Sequence, residues 1–134
     1  MSISVKKLNS FLLIKLPAAF LCGVRTTVLD DDKCVVSVKH SWINQNPFNS
    51  MFWAVQGMAA ELTTGALVMA KAEGSGHKIS MLVLTNNASF SKKATGRITF
   101  TCDEGHKVDE AIKSRCLMTL WSPVQYTLIS LTPK

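Results

Sequence analysis

The sequence predicts an α+β fold in which an antiparallel sheet packs on one long helix. Three observations carry that expectation. From Ser41 to Ala70 the only formally charged side chain is Glu61, so this stretch reads as a buried helix. Short strand-like runs separated by polar or turn residues lie on both sides of it. The 134 residues, 47% hydrophobic and 18% charged, suit a single domain with one core and lack the signature of disorder.

The elements follow in order. Lys6 and Lys7 precede SFLLIKLPAAFLCG, which imitates a signal peptide, but Lys15 and Pro17 interrupt the apolar run and no small-x-small cleavage site follows. Residues 1–22 are therefore expected to form a helical segment packing on the core of a single domain spanning 1–134, with a membrane-surface anchor as the alternative. Val24–Leu29 and Cys34–Lys39 are β-branched runs split by Asp30, Asp31, Asp32 and Lys33, the pattern of a hairpin. After the central helix, Ile79–Leu84 and Gly96–Cys102 form a second pair. A short helix is expected at Val108–Lys113. Cys116–Trp121 and Tyr126–Leu131 add two more strands, divided by Ser122 and Pro123.

Met51–Ala70 has the length of a membrane span. Glu61 at its centre, near Gln56, Thr63 and Thr64, argues for a soluble core helix instead, since a central acid costs about 2.5–3.5 kcal/mol on insertion scales. The helix is rich in small residues. A glycine inside a helix costs about 1 kcal/mol relative to alanine, so Gly57 and Gly65, one helical turn either side of Glu61, are expected to serve close approach by a substrate or a strand.

The net charge of +6 is spread along the chain and suits an anionic small molecule, a phosphate-bearing cofactor or a membrane surface as readily as nucleic acid, without choosing among them. No zinc-finger spacing, RNA-binding strand signature or Arg-aromatic helix face supports nucleic acid. Cys22, Cys34, Cys102 and Cys116 show no C-x-x-C pair, and His40, His77 and His106 are scattered. No metal site and no disulfide framework is expected, and free thiols fit a reducing cytoplasm.

NPFNSMF leading into a small-residue helix with the acid of A-A-E resembles the hotdog-fold acyl-CoA thioesterases. It is nearest the phenylacetate-pathway branch and a hotdog subfamily defined only as a domain of unknown function. In that branch an Asn is followed by a Gly, a His-Gly-Gly run and an acid. Asn46 falls on the Asn, Asn49 on the Gly, Phe52 and Trp53 on the His-Gly pair, and Glu61 on the acid. ASFSKKATGRITFTC, Ala88–Cys102, is similar to the strand pair in which an aromatic residue precedes a basic turn and a Gly. The resemblance runs from about Leu16 to Ile112 and departs where Phe52 replaces the His and where Trp53 and Ala54 replace the glycines.

The resemblance implies a hotdog fold, in which the sheet wraps the central helix, and thioester hydrolysis by a homodimer or dimer of dimers. Coenzyme A would enter only as part of the substrate, with no separate cofactor. Glu61 would be the base or nucleophile in apolar surroundings that raise its pKa, with Asn46 a donor to the thioester carbonyl. The start of the helix, near Ser50, Phe52 and Trp53, offers free N–H groups to the same oxygen. Asn49, Gly57 and Thr64 would complete the substrate site, and Lys92, Lys93 and Arg97 would take coenzyme A phosphates. The same residues admit plainer roles: Asn46, Asn49 and Ser50 spell a helix cap, Glu61 a paired structural acid, and the basic residues a solvated turn. A non-catalytic acyl-binding module and a peripheral membrane or partner-binding protein are the alternative functions.

Overall fold

The computed structural model describes residues 3–76, 81, 83, 86–113 and 129–130. Helix α1, Val5–Lys15, begins at Ser4, whose Oγ accepts the Lys7 N–H at 3.2 Å. Leu8 and Leu12, one turn apart, are its buried stripe. Pro17 disfavours helix at Leu16 and opens a new one, α2, Pro17–Leu21. The expected N-terminal segment is thus two short helices, with α1 against β1.

Strand β1, Arg25–Leu29, and strand β2, Cys34–Lys39, form the expected hairpin, with Leu29 opposite Cys34. Asp30 makes the turn: its Oδ1 accepts the N–H groups of Lys33 at 2.8 Å and Asp32 at 3.0 Å. These bonds, the one from Lys33 first, hold its carboxyl below the usual carboxylate range. The outer edge of β1 is interrupted. Asn9 of α1 donates to the Thr26 carbonyl and accepts its N–H, imitating a neighbouring strand, and a bulge follows between Thr26 and Val28.

Strand β3, Arg97–Cys102, pairs along all of β2. Val38 faces Ile98, Val36 faces Phe100 and Cys34 faces Cys102, and all six side chains are buried. The sheet order is β1-β2-β3-β4, antiparallel throughout, where β4 is the two-residue pairing Ile129–Ser130. Helix α3, Trp53–Ser75, lies across the sheet and buries Val55, Ala59, Leu62, Ala66 and Leu67. The architecture is α+β, an antiparallel sheet on one long helix, as expected.

Helix α3 starts at Trp53 rather than Met51, because the Met51 N–H goes to the Ala94 carbonyl at 2.8 Å and Met51 bridges Gln45. It runs past Ala70 to Ser75, where Lys71 pairs with Asp109 at 2.6 Å and Glu73 with Lys7 at 2.9 Å, and Gly76 closes it with φ +69°. Helix α4, Gly105–Lys113, starts earlier than the expected Val108. A Cβ on Gly105 would lie 2.2 Å from the Asp31 carbonyl oxygen, so glycine there lets α4 dock on the β1–β2 turn, and its N–H donates to Asp32 at 2.9 Å. Of the expected strand Ile79–Leu84 only Met81 and Val83 are described, and of Tyr126–Leu131 only Ile129–Ser130. Cys116–Trp121 lies outside the described residues.

Candidate functional site

The NPFNS stretch folds on itself rather than capping α3. Asn46 Oδ1 accepts the Phe48 N–H at 2.9 Å and the Ser50 N–H at 3.3 Å, while its amide donates to Ser50 Oγ at 2.9 Å. Asn49 sits at φ +58°, a left-handed turn position that asparagine tolerates better than most residues after glycine. The loop is tied to the 92–94 segment by Lys93 Nζ donating to the Phe48 carbonyl at 2.9 Å and by the Met51–Ala94 bond. From behind it is braced by buried Asn44. The Asn44 amide donates to the Cys22 and Lys39 carbonyls at 2.9 Å each, and its own carbonyl accepts the Phe52 N–H at 2.8 Å.

The consequence is an open helix start. Phe52 occupies the N-cap position and has no side-chain acceptor to offer, and no acid stands in the first turn. Its carbonyl takes the Val55 and Gln56 N–H groups, so the Trp53 and Ala54 amides have no acceptor among the described residues. Beside them is a cavity of about 380 Å³ lined by Asn46, Pro47, Phe48, Ser50, Met51, Phe52, Trp53, Gln56, Phe90, Lys92, Lys93 and Ala94. The lining holds two lysines and no carboxylate, and the partial positive charge of the helix start adds to that bias. Gln56 is only 6% exposed; its amide nitrogen donates to the Met51 carbonyl at 3.2 Å, which leaves Oε1 buried without a donor among the described residues. Phe48, Phe52, Trp53 and Phe90 remain exposed around the mouth.

Six of the residues named from sequence therefore converge on one cavity: Asn46, Ser50, Phe52, Trp53, Lys92 and Lys93. Five do not line it. Asn49 shapes the turn. Arg97 reaches from β3 to Ser37 Oγ at 3.4 Å. Gly57 seats the Trp53 ring, whose nearest carbon would lie 3.5 Å from an added Cβ. Thr64 carries a buried hydroxyl with no partner among the described residues. Glu61 is exposed, which corrects the expectation of apolar surroundings. The helix buries one side against the sheet, and Trp53, Gly57 and Glu61, a turn apart each, share the side facing away. At about 1.5 Å of rise per residue, Glu61 stands roughly 12 Å along the axis from Trp53. Gln56, Phe48 and Phe90 also line the cavity without being among the expected site residues, and a single amide in an apolar run has no motif to announce it. The described residues contain no group of side chains suited to a metal ion.

Residues 6–118 match the sequence profile of a domain of unknown function, DUF4442. The chain belongs to that family. The DUF4442 match takes in every residue lining the cavity, as well as Glu61. Among curated proteins none matches. The crystal structure of a protein with unknown function from Chlorobaculum tepidum TLS is similar, with a TM-score of 0.70 and 17% identity over 84% of this chain and 72% of that one. At that identity the similarity speaks for a shared fold alone.

Proposed function

We propose that this DUF4442 chain is a hotdog-fold homodimer that hydrolyses acyl thioesters of coenzyme A in the cytoplasm. The observation that carries the reading is the uncapped helix start: the paired Trp53 and Ala54 amides lack an acceptor among the described residues, and Trp53 lines an apolar cavity with two lysines and no acid. Such a pair fits an oxygen that becomes negative during acyl transfer. The Asn46 amide, already turned toward Ser50, would orient the carbonyl beside it.

In this account Glu61 takes a proton from water as the water oxygen bonds to the thioester carbon. The tetrahedral oxyanion rests on the two amides. It then collapses with cleavage of the carbon–sulfur bond, and the protonated carboxyl returns its proton to the departing thiolate. The axial separation of roughly 12 Å keeps Glu61 from the carbonyl held at its own helix start. A second copy with its helix running the opposite way would bring its Glu61 there. The open stripe of α3, with half-buried Ala54, Gly57 and Met58 beside Glu61, suits such a contact. Trp42, Ile43 and Phe48, all exposed, give this region apolar area for a partner to cover. Lys92 and Lys93 are the better placed pair for phosphates because they line the cavity and Arg97 does not, although Lys93 also donates to the Phe48 carbonyl.

A second reading, an acyl-thioester binder without turnover, is favoured by Phe52 where the thioesterases that the chain resembles carry His. Purified protein assayed for thiol release across a panel of acyl-CoA esters separates the two. Turnover of at least one ester supports the hydrolase, and tight binding with no thiol release supports the binder.

A further inference from the structure

The α1–α2 corner carries a surface that the cavity does not use. Ile14 is 73% exposed, Leu21 64%, Leu13 52% and Leu16 46%, four large aliphatic side chains within nine consecutive residues, because Leu8 and Leu12 already fill the core-facing side of α1. The break at Leu16–Pro17 separates α1 from α2, so this apolar set spans the corner where the two helices meet. Exposed aliphatics in this number at one corner mark an interaction surface.

Charge decides what it meets. From residue 3 to residue 29 the chain carries Lys6, Lys7, Lys15 and Arg25 and no acid. Lys7 is paired with Glu73, and Arg25 donates to the Phe20 and Val24 carbonyls while stacking 3.6 Å over the Phe20 ring. Lys6 and Lys15 are exposed and have no partner among the described residues. A second copy docking through the same face would set lysine against lysine, since a two-fold contact repeats one patch on both sides. An anionic lipid surface matches both components at once, aliphatic side chains entering the acyl boundary and lysines meeting headgroups.

We infer that the α1–α2 corner docks the protein reversibly on anionic membrane surfaces, through Leu13, Ile14, Leu16 and Leu21 with Lys6 and Lys15. No described helix is long and apolar enough to cross a membrane, and peripheral contact needs none. The proposal goes beyond the thioesterase reading and stands apart from it, since none of these residues lines the cavity.

Sedimentation of the full chain with vesicles of phosphatidylcholine, with and without phosphatidylglycerol, tests it. Binding is expected with the anionic vesicles only, and it should fall as salt shortens the Debye length from about 10 Å to about 3 Å. Lys6→Glu with Lys15→Glu should weaken partitioning roughly tenfold or more. Ile14→Ser with Leu21→Ser should abolish it while circular dichroism stays unchanged, both sites being exposed. Equal binding to neutral vesicles, or none to either, overturns the proposal. So does an Ile14→Cys thiol that maleimide cannot reach in the free protein, because the face would then already be covered.

Discussion

Helices α1 and α3 begin in opposite ways. The shorter one starts at Ser4, which satisfies the Lys7 amide with its hydroxyl. The longer one starts at Phe52, whose side chain accepts no amide, although Asn46, Asn49 and Ser50 stand just upstream. Those residues spend their hydrogen bonds on their own loop, and the Trp53 and Ala54 amides stay open beside a cavity. A missing cap forgoes about 1 kcal/mol of stability, so the departure falls where a ligand oxygen would supply what the protein does not.

The comparison can be tested at its strongest point first. If the open start serves turnover with Glu61 as base, Glu61→Gln should lower turnover by roughly two to four powers of ten while leaving the melting temperature nearly unchanged, because the side chain is exposed. Turnover at the wild-type level would remove Glu61 from the chemistry. Closing the start should come next in size. In Phe52→Asp the new carboxylate can accept a first-turn amide, so unfolding should become harder by about 1 kcal/mol while turnover drops about a hundredfold. The matching change at the other helix, Ser4→Ala, should cost about 1 kcal/mol in a urea titration and leave turnover alone. A parallel response of the two helices would mean that the open start has no special role.

Much of the sheet was legible because its chemistry is local. Cys34–Lys39 has the bounds read from its β-branched run, and the Asp30 turn announced itself by three consecutive acids. The break at Pro17 within the N-terminal segment follows from a missing N–H, yet the sequence reading treated residues 1–22 as one unit. The site was legible in part. Asn46, Ser50, Phe52 and Trp53, named from the resemblance, line one cavity. Capping, the plainer reading, failed because the side chains that spell a cap also spell a turn, and only tertiary bonds such as Met51 to Ala94 decide between them. The exposure of Glu61 was hidden for another reason. Gly57 and Gly65 flank Glu61 without saying whether that side of the helix is covered; Gly57 is half-buried and Glu61 exposed, whereas Gly65 is buried, with the Met81 side chain 3.2 Å from where its Cβ would be.

A smaller effect is expected at the lysines. Lys92→Ala with Lys93→Ala should raise KM for an acyl-CoA about tenfold and leave a short acyl thioester without the nucleotide unaffected, with a weaker salt dependence. Equal effects on both substrates would return the pair to a solvated turn. An effect of a different kind, read only at high pH, lies in the core. Burial, with Cys102 adding to it, pushes the Cys34 thiol up to about 12. The thiol therefore stays protonated in the folded chain while the unfolded chain ionises near 8.5, so this contribution is complete below about pH 8.5 and lost toward 12. The fall in stability over that window should be shallower in Cys34→Val than in the wild type, as read from urea midpoints at successive pH values.

The central claim is that the acid of one chain works at the helix start of another. Co-expression of Glu61→Gln with Phe52→Asp tests it most directly, because each variant alone should be nearly inactive for a different reason. Mixed dimers would contain one site that joins an intact helix start to an intact Glu61, and turnover should recover to about a quarter of wild type if the chains assort at random. Turnover of the mixture no higher than the average of the two variants measured separately would contradict the account.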